Sequence, residues 1–319
     1  MGESRFITAK DGLRLHALDY GDRHSPRLPI VCLPGLTRTV EDFAVLAAAL
    51  ANDRRVLSLD YRGRGRSDYD PNPDHYAIAV ESADVVTVMA ALDAIPAIVV
   101  GTSRGGLIAM TLAAEKSELL AGVVLNDIGP VVDIEGVIRI KGYVGQLQHP
   151  TSYQEAAEFL RRSTGNQFPK LGAADWLAAA KRGWREEAGR LVSTYDPALA
   201  NTFQGFDPDK PFPTLWPQFD AMAQVPLMVV RGANSDILSG ATVVAMRKRR
   251  PDMEVLVVPD QGHAPLLAET DSIRAIAGFA AKCDALAASE STSPKTNART
   301  SATGSNAGIR GTEPPGRTR

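Results

Sequence analysis

The sequence predicts an α/β fold, a mostly parallel sheet of eight strands with helices on both faces. Three observations predict it. Short, almost uniformly apolar runs recur along the chain, as strands buried on both faces require. Segments with helical spacing separate those runs, and regular strand–helix alternation builds an open, doubly wound sheet whose functional groups gather at the carboxyl ends of strands. Residues 129–225 then break the rhythm with helical segments alone, and read as a helical cap inserted after the sixth core strand.

The first strand candidates are Arg5–Ala9, Leu13–Tyr20 and the wholly apolar Ile30–Leu33. Helix Val40–Leu50 leads to strand Arg55–Asp60, and helix Ala77–Leu92 to strand Ala97–Gly101. Helix Arg104–Glu115 follows almost at once, then strand Gly122–Asp127. The cap's helical segments are Tyr153–Ser163, Ala173–Arg185 and Glu187–Tyr195. The core pattern resumes with strand Leu227–Gly232, helix Ala241–Lys248, strand Glu254–Val258 and helix Asp271–Leu286. The domain division is therefore a core over residues 1–128 and 226–288, a cap over 129–225, and a tail over 289–319. The tail is rich in Ser, Thr, Gly, Pro and Asn and sets Lys295, Arg299, Arg310, Arg317 and Arg319 against Glu290 and Glu313. It buries too little apolar surface to offset ordering and is expected to be disordered.

Composition narrows the function. With 319 residues, 44% of them hydrophobic, the chain suits one large α/β domain or a core with an insertion. A net charge of −2 gives no footprint for nucleic acid. Cys32 and Cys283 form no disulfide framework, and Cys32 sits in an apolar run as a small core residue. The amino-terminal segment has no apolar h-region, no run reaches about 18 apolar residues, and Gly2 lacks the Ser or Thr that completes a myristoylation pattern. The expectation is a soluble cytoplasmic protein that contacts no membrane and acts on a small molecule; a homodimer is left open. No Cys/His cluster has metal-ligand spacing, so neither metal nor cofactor is expected.

The chemistry centres on Gly101-Thr102-Ser103-Arg104-Gly105. A Gly-x-Ser-x-Gly between an apolar run and a helix places a serine on a sharp strand-to-helix turn, with its hydroxyl clear of the strand ladder. Such a serine needs a base to take its proton and an acid to orient that base. Of five histidines, His16, His24, His75 and His149 fall in surface strands, turns or cap segments, where packing or solvation explains them. His263, in Asp260-Gln261-Gly262-His263-Ala264-Pro265 after the last strand, reaches the same sheet edge as Ser103. Two carboxylates compete for the third role, Asp236 after the seventh strand and Asp127 at the end of the sixth; each also suits a cap or a turn. Oxyanion donors are expected from the backbone N–H groups of Arg104 and of Leu36, the latter in Leu33-Pro34-Gly35-Leu36-Thr37.

The loop Asp60-Tyr61-Arg62-Gly63-Arg64-Gly65-Arg66-Ser67-Asp68 has Gly-x-Gly spacing but no Gly-Lys-Ser/Thr, and reads as a charged structural loop, not a phosphate cradle. In the cap, Arg139, Lys141, Arg161 and Arg162 read as solvated charges, with binding of an anionic acid as the alternative. Trp176, Trp184, Phe159 and Phe168 read as cap packing, with a pocket wall as the alternative.

From Arg5 to Leu286 the chain resembles the cap-bearing branch of the α/β-hydrolase superfamily. The markers are Leu33-Pro34-Gly35-Leu36, the 60–68 loop, Gly101-Thr102-Ser103-Arg104-Gly105-Gly106 and Gly262-His263-Ala264-Pro265. The resemblance implies a serine hydrolase with order Ser…Asp…His, and Ser103 excludes the branches that place Asp there. Two departures stand out. Pro34-Gly35 replaces a common His-Gly. The usual acid position, three residues after the seventh-strand glycine, is Ser235 here, with Asp236 one later. Some relatives look as though they use the sixth-strand acid, matching Asp127. Loops shift by one residue more easily than a function relocates, so Asp236 is placed ahead. The expected activity is hydrolysis of a small carboxylic ester, lactone or thioester through an acyl-enzyme. Carbon–carbon or amide hydrolysis on the same residues is the alternative, and a catalytically silent binding protein the third reading.

Overall fold

A computed structural model describes residues 2–146, 149–210 and 212–292. The chain opens with an antiparallel hairpin, β1 (Glu3–Thr8) and β2 (Arg14–Tyr20), followed by β3 (Ile30–Leu33). A 3₁₀ turn over Val40–Phe43 leads into α1 (Ala44–Leu50), then β4 (Val56–Asp60), α2 (Ile78–Ala91), β5 (Ala97–Thr102), α3 (Arg104–Lys116) and β6 (Leu120–Asn126). Among the described residues, the next hundred positions add no strand to this sheet. They carry α4 (Ile134–Lys141), α5 (Tyr153–Thr164), α6 (Ala173–Gly183), the hairpin β7 (Trp184–Glu187) and β8 (Arg190–Ser193), and α7 (Trp216–Asp220). Then come β9 (Leu227–Gly232), α8 (Gly240–Arg249), β10 (Glu254–Val258) and α9 (Thr270–Thr292).

The eight-stranded sheet has the order β1-β2-β4-β3-β5-β6-β9-β10. The pairs β1–β2 and β2–β4 are antiparallel and the rest parallel, as the alternation predicts. Successive central-strand residues point to opposite faces, and both faces are covered. Val31, Leu33, Val99, Val123 and Val229 pack toward α2, α3 and α8, whereas Ile30, Cys32, Ile98, Val100 and Val230 pack toward α1 and α9. That is why the runs are apolar without alternation.

The order also positions the site. After β3 the chain moves outward to β4, then crosses to the other side of β3 to form β5, so the two strands that part company are neighbours. The crevice at their carboxyl ends is the switch point where open α/β sheets bind ligands, and the loop after β3 and the turn after β5 meet there.

Two expectations need correction. Glu187–Tyr195, expected as helix, is mostly the second half of a hairpin in which Trp184 pairs with Ser193 and Glu187 with Arg190. Ala188 and Gly189 both have positive φ (50° and 75°), the two-residue turn that matches strand twist, and a glycine there is worth more to a hairpin than to a helix. The expected tail at 289–319 also begins late, because α9 runs on through Thr292; residues 293–319 lie outside the described residues. No helix among the described residues is long and apolar enough to cross a membrane.

Candidate active site

Ser103 stands between the last residue of β5 and the first of α3 with φ 51° and ψ −110°, a left-handed conformation that a non-glycine residue adopts under constraint. The constraint is packing. A Cβ on Gly105 would sit 2.1 Å from the carbonyl oxygen of Leu33, so only glycine lets the first turn of α3 lie against β3. One on Gly101 would meet the Gly105 backbone at 2.5 Å. The Ser103 N–H is tied across to the Asn126 carbonyl at 3.0 Å.

The hydroxyl so displayed meets His263. Ser103 Oγ lies 2.8 Å from His263 Nε2, and His263 Nδ1 lies 2.8 Å from Asp127 Oδ2. Asp127 is fully buried, with φ 57° directly after β6. Its carboxylate also accepts the Gly232 N–H (2.8 Å) and the Ser235 hydroxyl (2.6 Å), so its oxygens are satisfied without solvent.

The structure thus corrects the ordering of the two acids. Asp236, placed ahead from sequence, does not touch the imidazole. It forms a two-pronged ion pair with Arg139 of α4 at 2.6 and 2.8 Å. Burial alone would raise the Asp236 carboxyl; the Arg139 guanidinium outweighs it and holds the group below the usual carboxylate range. The reason for the swap is one step of chain: Ser235 takes the place beside Asp127, and the next residue faces the inserted segment.

The Leu36 and Arg104 amides donate to no protein acceptor among the described residues. Gly35 lies beside the serine, since a Cβ on it would be 3.8 Å from Ser103 Cβ. The 60–68 loop holds this region in place. Tyr61 donates its hydroxyl to the Pro34 carbonyl (3.2 Å) and Arg64 Nε to the Leu36 carbonyl (2.8 Å). Arg64 shares the buried Glu81 with Arg104 at 2.6 and 2.5 Å, so one carboxylate of α2 braces both the loop after β3 and the start of α3. Burial would raise Glu81, yet the two guanidiniums keep it below its ordinary value. Its stabilisation is therefore present at neutral pH and lost as pH falls through its depressed value. Glu81→Gln leaves two buried guanidiniums short of their counter-charge and is expected to cost about 3–5 kcal/mol, read by urea unfolding at pH 7.

Other expected residues lie elsewhere. His16 joins a second Ser–His–Asp string, with Ser4 Oγ at 3.1 Å from Nε2 and Asp60 Oδ2 at 2.7 Å from Nδ1. There Ser4 belongs to edge strand β1 and accepts from Arg66, while Asp60 caps the Val40 and Arg66 amides. That string braces the loop. Asp11, Asp70 and His75 lie close enough to hold a metal ion, but Arg62 Nη1 already sits on both aspartates at 2.8 and 2.5 Å. Both cysteines are free and buried, which raises their thiols, Cys283 to about 12.

Ser103 and His263 open into a cavity of about 420 Å³. Phe159, Phe168, Trp176 and Trp184 all line it, while Phe159–Trp184 and Phe168–Trp176 pack edge to face, each at 6.4 Å. Wall and packing are one role here. Of the cations of the inserted segment, Arg139 lines the cavity already paired, Lys141 lies over Phe206, and Arg161 pairs with Glu158 beside an exposed Arg162. Sequence reading missed Arg38 and Arg182, which line the same cavity, and Gln167, a buried residue between α5 and α6. Gln167 Oε1 accepts the His263 N–H at 2.8 Å and its carbonyl accepts from Asn234 at 3.1 Å, clamping the histidine loop. A lone glutamine between helices carries no local signal for that task.

Comparisons agree with this architecture. Residues 30–277 match the family model described as the alpha/beta hydrolase family. The chain is 35% identical to a 3-hydroxybutyrate-oligomer hydrolase of Cupriavidus necator, covering 84% of this chain and 94% of that one. It is 26% identical to a 2-(acetamidomethylene)succinate hydrolase of Mesorhizobium japonicum, covering 72% and 79%. A crystal structure of an alpha/beta hydrolase from Novosphingobium aromaticivorans superposes with a TM-score of 0.82 at 42% identity, covering 88% of this chain and 98% of the other. With that match and the sheet order, the chain belongs to the α/β-hydrolase family and is a hydrolase by kinship.

Proposed function

We propose that this hydrolase is a serine esterase that cleaves small carboxylic esters through an acyl-enzyme, with Ser103, His263 and Asp127 as its catalytic residues. One observation carries the reading: the unbroken line Ser103–His263–Asp127 opens into the cavity beside two uncommitted amides. Ser103 Oγ attacks the ester carbonyl as His263 Nε2 takes its proton. Asp127 holds the imidazole with Nδ1–H toward itself and stabilises the imidazolium. The Leu36 and Arg104 amides receive the oxyanion, each donor worth about 3 kcal/mol of barrier. His263 returns the proton to the leaving alcohol, then activates the water that releases the acid. The segment 129–225 acts as a cap that shapes the pocket and, through Gln167, steadies the base. The likeness to an oligomer hydrolase supports an ester bond.

The likeness to the acetamidomethylene-succinate hydrolase keeps an amide or carbon–carbon substrate as the second reading. A fluorophosphonate probe is expected to label Ser103, read by peptide mass spectrometry. In a panel of 4-nitrophenyl esters, an anilide and a meta-cleavage dienone, the esters are expected to turn over fastest. Absence of labelling would favour a silent binding protein, and a faster anilide or dienone would favour the second reading.

A further inference from the structure

Two arginines in the cavity beside Ser103 make their direct ion pairs with a single carboxylate, Asp42. Arg38 follows the oxyanion loop, and its stem packs over Gly35, where a Cβ would meet Arg38 Cγ at 3.3 Å and Ser103 Cβ at 3.8 Å. Its guanidinium grips Asp42 with both prongs, Nη2 at 2.7 Å. Arg182, in the last turn of α6, reaches the same carboxylate with Nε alone at 3.2 Å. Two guanidiniums thus share one carboxylate. The cavity's third arginine, Arg139, is balanced one to one by Asp236. Two further acids line the cavity, Glu41 and Asp175. Both are exposed; Glu41 acts on Arg182 only through its field, without direct contact, and Asp175 already accepts the Gly172 N–H.

Two more observations point the same way. Burial, above all, pulls the Arg182 guanidinium below its ordinary value and the Arg38 charge adds to this; Asp42, with a smaller contribution from Glu41, opposes it without offsetting it. Trp184, two residues on, lines the same cavity, and its buried Nε1–H has no acceptor among the described residues. An uncommitted indole donor lining the same cavity as two guanidiniums that share one carboxylate suits an oxygen anion.

We propose that Arg38 and Arg182, held together by Asp42, bind a free carboxylate of the substrate, with the Trp184 indole N–H as an added donor. The preferred substrate is then an ester bearing a carboxylate a few bonds from its scissile carbonyl, because the Arg38 stem packs beside the serine. The word ester rests on the proposed function; the carboxylate subsite does not.

The test compares ethyl hydrogen glutarate with diethyl glutarate, by calorimetric binding to Ser103→Ala and by kcat/KM with the native enzyme. The acid is expected to bind and react about tenfold better or more. Arg182→Met is expected to collapse both ratios toward one, and Arg182→Lys to keep part of them. A ratio is independent of the folded fraction, so partial misfolding does not blur it. Raising ionic strength from about 0.05 to 0.5 M should also lower the native ratio by screening. Ratios near one in the unsubstituted pocket, or ratios untouched by Arg182→Met, overturn the subsite. Acid-selective binding without turnover of either ester would sink the nucleophile and leave the subsite standing; turnover without selectivity would do the reverse.

Discussion

Ser103→Ala is expected to lower kcat on 4-nitrophenyl butyrate about 10⁶-fold, the scale seen when a nucleophile is removed from a site that works as a unit. The loss should appear in kcat far more than in KM, since the hydroxyl is needed only once the acyl group moves from alcohol to enzyme. Folding should be untouched. The strained backbone at 103 is imposed by Gly101 and Gly105, and alanine keeps the Cβ. Circular dichroism and the unfolding midpoint therefore serve as controls. Turnover that survives the substitution in a folded protein would remove Ser103 from the mechanism.

Asp127→Asn is expected to lower kcat about 10⁴-fold with little change in KM, because an amide no longer holds the Nδ1–H tautomer of His263. Asp236→Asn is the paired control, since it too removes a carboxylate near the sheet edge. Its expected effect on kcat is at most a few-fold. Its cost is the Arg139 tether, about 1 kcal/mol for a pair partly open to solvent, read by urea unfolding at pH 7. With its carboxyl depressed in the folded state, that contribution is present above the ordinary carboxylate range and fades as pH falls through the depressed value. A large kcat loss in Asp236→Asn with a small one in Asp127→Asn would restore the ordering drawn from sequence.

The sheet was legible because its strands are short, apolar on both faces and separated by amphipathic helices. Ser103 and His263 were legible because each follows a recognisable strand, which placed them at one edge before any distance was known. Which carboxylate meets His263 was not. It turns on the left-handed backbone of Asp127 and on Ser235 filling the neighbouring place, and neither leaves a mark that a carboxylate count can read. The Arg38–Asp42–Arg182 group was invisible for another reason: Arg182 comes from the inserted segment, more than a hundred residues from its partners, and one arginine among many carries no address. The β7–β8 hairpin was misread because its charged strands, half exposed, show no apolar alternation, and the Ala188-Gly189 turn was the one local cue.

The contact between Ser235 and Asp127 limits what residue 235 can be. The Ser235 hydroxyl and the carboxylate beside His263 touch through a 2.6 Å hydrogen bond, just past the ends of adjacent strands. A carboxylate at 235 would turn that donor into a like charge against a buried anion, so one of the two groups would have to stay protonated. The small hydroxyl therefore keeps Asp127 charged as well as held, and the state of the histidine's partner depends on a side chain that never touches the histidine.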